Sequence, residues 1–403
     1  MLIFLAACVV ALVVLAVLSF GPVGRSPVWT ATVTPLASII GSGFLICGPL
    51  LAREFGGAAA LAMAALLVLA YALGAVVRFN IANLEPLLAD AGFHDLLSWT
   101  ARATQAILAG AYAVSVAYYL KLLAEFSLKP FAFSGEIHTL ISRWAVTALI
   151  GVFAVLAASG GQKRMERLAH MSVSLKIGVI AGMLTALAMY WMLRWTGPAS
   201  VPAAKVTPGS VALVLGLLVT VQGFETSRYL GQTYDAALRI RTMRYAQWLS
   251  SAIYIGFLLL LTPLLGPASK AQGVAGILDI MNLAAPFMGI LVLVGALASQ
   301  LSAAVADSIG SAGLASEVSR GRLGLRTGFL LSAALAVAVV WLTDPFQVVA
   351  VASRSFAVFY LMQCVLAFMA SCRTGAGGPL AMAGFAVLAA ISLLAALVGA
   401  PAE

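Results

Sequence analysis

Charged side chains are scarce in this sequence: they make up 9% of its 403 residues, against about 25% in ordinary soluble domains. A water-soluble fold of this length cannot be covered by so little charge, and no hydrophilic stretch is long enough to bury a core of its own. Catalytic or nucleic-acid-binding modules therefore have nowhere to sit, and the formal charge of +9 has to be read from where its basic residues fall. The three histidines, His94, His138 and His170, lie at loop or span ends and form no ligand set with the acids, so no metal site is readable. The four cysteines, Cys8, Cys47, Cys364 and Cys372, lie in or beside apolar segments without the paired spacings of a metal or redox motif. They read as small packing residues. A phosphate-binding loop of the form Gly-x-x-x-x-Gly-Lys-Ser/Thr is missing, which argues against self-contained ATP-driven pumping. Gly41-Ser42-Gly43 could suggest an intramembrane serine protease, but no histidine lies within a span to act as its base. The expectation is a non-enzyme that needs no cofactor.

What is abundant is apolar: 63% of the chain is hydrophobic. A run of about 20 such residues crosses a bilayer as a helix, because every backbone polar group there must be bonded internally. Twelve spans are expected, near residues 2–20, 31–54, 57–78, 103–126, 143–159, 171–193, 209–231, 247–266, 284–312, 326–342, 346–370 and 379–399. The first lacks the basic start of a signal peptide and is kept as a helix. Basic residues sort by loop. Arg25, Arg78, Arg102, Lys163, Arg164, Arg167, Arg228, Arg239, Arg241, Arg244, Arg320, Arg322, Arg326 and Arg373 share one side. Arg53, Lys121, Lys129, Arg143, Arg194, Lys205 and Lys270 share the other. Fourteen against seven assigns the first side to the cytoplasm and both termini to the outside of a cytoplasmic (plasma or inner) membrane.

Two spans are interrupted at mid-membrane. The second carries Ser38-Ile39-Ile40-Gly41-Ser42-Gly43-Phe44 and the seventh carries Gln222-Gly223-Phe224-Glu225-Thr226-Ser227-Arg228. Broken helices are tolerated only where they are buried or line a cavity, and a matched pair five spans apart points to inverted repeats with a binding site between them. The expected organisation is a single all-α membrane domain: an extra N-terminal helix in 1–30, a first repeat in 31–195, a second in 205–372 and an accessory helix in 373–403. The core is thus five plus five helices, spans two to eleven.

These segments resemble those of the amino acid/polyamine/organocation (APC) transporter superfamily, whose core is the inverted repeat of the leucine-transporter fold. Ile40-Gly41-Ser42-Gly43-Phe44 is similar to the glycine-rich break of that family's first core helix, and Gly223-Phe224-Glu225 to the Gly-Phe-Glu break of its sixth. Lys176, within Ser174-Leu175-Lys176-Ile177-Gly178, falls where many members keep a lysine in core helix five, and 292–317 is similar to core helix eight. The acidic pair and Asn-Pro that follow the sixth-helix break in the family are replaced here by Gly231-Gln232-Thr233-Tyr234-Asp235-Ala236. Many members also carry two helices after the core, where this chain has one on each side.

Each candidate residue has a functional and a plain reading. Ile40, Gly41, Ser42 and Gly43 offer free backbone N–H groups to an anion at a half-helix start, or else a small-residue packing face. Gln222, Gly223, Phe224 and Glu225 would supply carbonyls for an amine, an aromatic lid and a carboxylate able to take a proton; the plain alternative pairs Glu225 with Arg228. Lys176 lies about 9 Å into its span, within snorkelling reach. The resemblance implies a coupling role against the first break and core helix eight, where sodium-coupled relatives hold a cation, with Ser299 and Ser302 as hydroxyl partners. Arg354 is a candidate gate, Tyr112 a candidate substrate contact beside Tyr118 and Tyr119, and Asp307 reads more simply as meeting headgroups or a partner charge. The resulting expectation is a secondary active transporter that moves an amino acid or related organic amine by alternating access, with proton coupling or exchange. Its partners are a small-molecule substrate, the lipid bilayer and protons, and no nucleic acid. The alternatives are a carrier of another solute (organic cation, nucleobase or ion) and a non-transporting receptor or scaffold.

Overall fold

The computed structural model describes residues 1–400 apart from 42, 91–94, 132–134, 160–161, 195–202, 205, 232, 272 and 274, and for 90, 157, 158 and 162–170 the backbone alone. The described residues are helical throughout, without a strand. The helices are α1 (Leu2–Phe20), α2 (Pro27–Ile39), α3 (Gly43–Phe55), α4 (Ala59–Phe79), α5 (Glu85–Asp90), α6 (Leu96–Leu128), α7 (Gly135–Ala158) and α8 (Gln162–Arg194). They continue with α9 (Pro208–Gly216), α10 (Ala236–Leu260), α11 (Leu265–Ser269), α12 (Ile277–Ala284), α13 (Met288–Val318), α14 (Leu325–Leu342), α15 (Pro345–Thr374) and α16 (Gly378–Val398). Ten stretches are long and apolar enough to cross a bilayer, and eleven if the bent pair Ala236–Leu260 and Thr262–Ser269 counts as one. The twelfth expected span, 31–54, is absent from that count for a physical reason. Its halves α2 and α3 have 13 residues each, too few to cross alone at 1.5 Å per residue, and α3 runs on into α4.

Helices α6 and α8 both pack on α13 at the centre, with α15 against α6 and with α2 against α13 and α10. The N-terminal α1 is docked on α8 through small residues. A Cβ on Gly178 would stand 2.6 Å from the carbonyl oxygen of Ala11, and one on Gly182 would stand 2.5 Å from that of Ala7. Backbones approach this closely only where side chains are absent, the usual means of holding helices together in lipid. The contact lies one turn beyond Lys176, so α1 braces the helix that carries it.

Gly182→Leu is expected to force these helices apart, at a cost of about 1–3 kcal/mol for overpacking, and so to lower the thermal-denaturation midpoint of the detergent-solubilised protein. Gly384→Leu is the control, since nothing lies within 4 Å of a Cβ there. Equal midpoints for the two variants would mean that α1 is not held by this contact.

Candidate functional site

The two breaks lie against each other. Helix α2 ends at Ile39, and Ile40 leaves helical geometry at φ −89, ψ 68. On the other side α9 ends at Gly216, a turn covers Leu218–Thr220, and a tight helical segment runs over Phe224–Leu230. Between them Gly223 takes φ +118, and a Cβ there would stand 2.6 Å from both the Ile39 nitrogen and the Ser38 Cβ. Only glycine combines that left-handed backbone with such close approach.

A break strands backbone carbonyls that a continuous helix would satisfy. Lys176 on α8 takes two of them. Its side chain is fully buried, and Nζ donates to the carbonyl oxygens of Ala37 at 2.6 Å and Ile40 at 2.7 Å and to Ser302 Oγ at 3.4 Å. The C-terminal end of a half-helix carries partial negative charge and favours a cation. Ser302 hands its own proton to the Ser299 carbonyl at 3.0 Å, leaving its oxygen free to accept from the lysine; the Ser299 side chain is not among the lysine's bonds. Lys176 therefore does not snorkel. Its three N–H donors meet three acceptors.

Glu225 accepts from the Gly223 backbone N–H at 2.9 Å, from Tyr360 at 2.8 Å and from Tyr112 at 3.5 Å. The Arg228 partner of the plain reading is turned elsewhere, donating to Gln363 Oε1, which also accepts from Asn80 at 2.8 Å. Below this point Arg239 bonds both carboxylate oxygens of Glu85, at 2.9 and 2.6 Å, and the Arg228 carbonyl at 2.7 Å. Phe224 is buried and stacks on Tyr360 with ring centroids 5.3 Å apart.

Asp307 does not meet headgroups. Asp307 on α13 is buried at the junction of α2, α6 and α13, accepting from Ser38 at 3.3 Å and from Ser115. Among the described residues no ion pair engages Asp307 or Glu225. Its partners Ser38 and Ser115 lie 269 and 192 residues away in sequence, so the local run around Asp307 carries no signal of them.

The glycines of the first break serve packing in this conformation. A Cβ on Gly41 would stand 2.9 Å from the Tyr119 ring, and one on Gly43 would stand 2.7 Å from the Tyr118 hydroxyl and 3.1 Å from Thr220. Ser42 lies outside the described residues. Gln222 donates to the Tyr119 hydroxyl at 3.1 Å, while its Oε1 and the Tyr118 hydroxyl have no partner among the described residues. Arg354 is not brought to the site: it is exposed and donates to the Gly399 carbonyl at 2.8 Å.

A cavity of about 600 Å³ lies next to this centre, between α2, α8, α13 and the segment after the second break. It is walled by Thr30, Val33, Thr34 and Ala37 of α2 and by the last turns of α13, and so lies toward the side that the charge count assigns to the cytoplasm. Tyr112 lines it and reaches Glu225; Ala37 lines it and holds Lys176 through its carbonyl. These two residues join the cavity to the buried ionisable groups.

Residues 21–399 match a family model described as APC superfamily transporter. An uncharacterized protein of Aquifex aeolicus (strain VF5) is 37% identical over 358 residues, 86% of this chain and 85% of its own. A solved structure of a Na+-coupled sialic acid symporter, in a substrate-bound outward-open state, aligns with a TM-score of 0.44 at 14% identity, over 100% of this chain and 98% of that one.

The packing at Gly43 gives a direct test of the site geometry. Gly43→Ala is expected to destabilise by about 1–3 kcal/mol. Tyr118→Phe, which deletes a hydroxyl without a partner, should be nearly neutral and should recover part of that loss in the double variant, with a coupling of at least about 0.5 kcal/mol. Strict additivity of the three thermal-denaturation midpoints would show that the tyrosine does not press on the break.

Proposed function

This chain belongs to the APC superfamily of transporters, and from that premise we propose that it is a secondary active transporter moving an amino acid or related organic amine by alternating access, with proton coupling or exchange. The observation that carries the reading is the bonding of Lys176 to the Ala37 and Ile40 carbonyls and to Ser302. An ammonium there fills the position a metal cation would need and repels one through Coulomb's law. A protonated lysine offers three donors to these three acceptors; a neutral one offers two, so loss of the proton releases at least one backbone carbonyl at the break. Proton occupancy and the position of α2 are thereby coupled, which is the requirement for a gradient to drive a conformational cycle. Ala37, shared by the lysine and the cavity, and Tyr112, shared by the cavity and Glu225, are the routes by which a ligand in the cavity would sense these groups.

A second reading rests on Glu225 and Asp307. Two buried carboxylates without a basic partner among the described residues, one of them bonded through Tyr112 to the cavity wall, favour a positively charged solute such as an organic cation. A thermal-shift screen of the purified protein across amino acids, amines, organic cations and nucleobases separates the two, because only a bound ligand raises the midpoint. Flux into proteoliposomes separates both from a receptor, which binds without accumulating.

With the stabilising solute as the labelled substrate, accumulation driven by an inward proton gradient is expected to fall to background in Lys176→Ala and in Lys176→Arg. The guanidinium is larger, planar and does not release a proton near neutral pH. Replacing external sodium by choline should leave wild-type uptake unchanged. Near-normal gradient-driven uptake by Lys176→Arg, or a strong loss on sodium removal, would overturn the coupling role assigned to this lysine.

A further inference from the structure

A second cavity, of about 460 Å³, lies at the surface between the start of α2 and the first half of α10. Its walls include Val28, Trp29 and Thr32 on one side and Tyr245, Trp248 and Leu249 on the other. Three aromatic rings gathered in one slot are characteristic of the membrane–water interface. Just beyond that level the chain becomes basic. On α10, Arg241, Arg244, Tyr245 and Trp248 follow the i, i+3, i+4, i+7 spacing of a single helix face, and all four are exposed. Arg25, also exposed, sits in the connection that leads into α2. No ion pair among the described residues engages Arg25, Arg241 or Arg244.

We propose that this slot binds one anionic phospholipid of the adjacent leaflet, with an acyl chain between Trp29 and Trp248 and the phosphate at Arg241 and Arg244. An apolar slot at the edge of the hydrocarbon layer accepts an acyl chain, and guanidinium groups bond phosphate oxygens in pairs. Neither feature alone names the ligand; a slot whose headgroup end carries three arginines without an ion pair among the described residues fits a lipid carrying net negative charge and gives a zwitterionic one no advantage. The position has a structural consequence, because the opposite face of α2, through Thr30, Val33, Thr34 and Ala37, walls the cavity beside Lys176. A lipid in the slot braces the first half-helix from outside. This inference does not depend on the identity of the transported solute.

The test uses the full-length protein, delipidated in detergent and titrated with dioleoyl phosphatidylglycerol, with dioleoyl phosphatidylcholine or with glycerol 3-phosphate. Phosphatidylglycerol is expected to raise the denaturation midpoint saturably and to be retained in native mass spectra, while the other two are not. Arg241→Gln with Arg244→Gln, both exposed and so compatible with folding, should weaken the phosphatidylglycerol response about 30-fold, the effect of removing two arginines from an anionic surface. Trp248→Ala should weaken it through the acyl chain with the arginines in place. Equal stabilisation by phosphatidylcholine, a response to glycerol 3-phosphate alone, or an undiminished phosphatidylglycerol response in the double variant would each overturn the proposal.

Discussion

A helix that stops in the middle of a bilayer leaves backbone groups that water cannot reach, and the centre of this protein is organised by their satisfaction. The partners can be traced one by one. Lys176 serves the carbonyls of Ala37 and Ile40; Tyr119 serves that of Ser38 at 3.4 Å; Tyr254 serves those of Ile39, at 3.2 Å, and Thr220. On the second break Ser353 donates to the Gly216 carbonyl at 2.6 Å and accepts from the Val219 N–H at 2.9 Å. Glu225 accepts from the Gly223 N–H, and Thr226 bonds the Gly223 carbonyl through both its N–H and its hydroxyl. An unbonded backbone group in hydrocarbon costs several kcal/mol, so each of these side chains is held in place by a requirement stronger than its own packing. The partners come from α6, α8, α10 and α15, and their demands fix where those helices stand around the breaks.

The same requirement explains why a lysine can be fully buried here. Removing an ammonium from water carries a penalty of several kcal/mol even after relaxation, and the Lys176 site offsets it with two carbonyls at a half-helix C-terminus and a hydroxyl oxygen. A tyrosine or serine could satisfy the carbonyls without that penalty, as Tyr254 does one residue away. Backbone satisfaction alone therefore does not require a charged side chain at this position.

Much of this was legible in the chain. Glycine and polar clusters at mid-span located both breaks, and Lys176 stood out because an ionisable residue deep in an apolar segment needs a reason. What escaped were residues whose meaning lies in another helix. Asp307 bonds Ser38 across 269 residues of sequence and Ser353 serves Val219 across 134; nothing local to either position distinguishes an inward serine or aspartate from one facing lipid or headgroups. Arg354 shows the opposite case: counted along its span it is deep, yet it reaches the Gly399 carbonyl from an exposed position. Depth along a span is a sequence property; facing is a property of packing.

The closed and open sides of the centre are built from different materials. Outward of the breaks, Phe44 packs edge-on against Tyr254 and Phe257 with centroids 5.8 and 5.4 Å apart. A Cβ on Gly48 would stand 3.0 Å from both Phe257 and Leu261, so this half is closed by tight apolar contact. On the cavity side the contacts are polar: Arg239 to Glu85 and to the Arg228 carbonyl, and Arg228 and Asn80 sharing Gln363. Opening the outer half would expose aromatic surface, at about 25 cal/mol per Å², whereas moving the inner segments exchanges hydrogen bonds for bonds to water at small net cost. A solute or proton shifts the balance between two conformations only by as much as its affinities for them differ. Glu225 and Lys176 each bond backbone at a break, and each connects, through Tyr112 or Ala37, to the cavity wall.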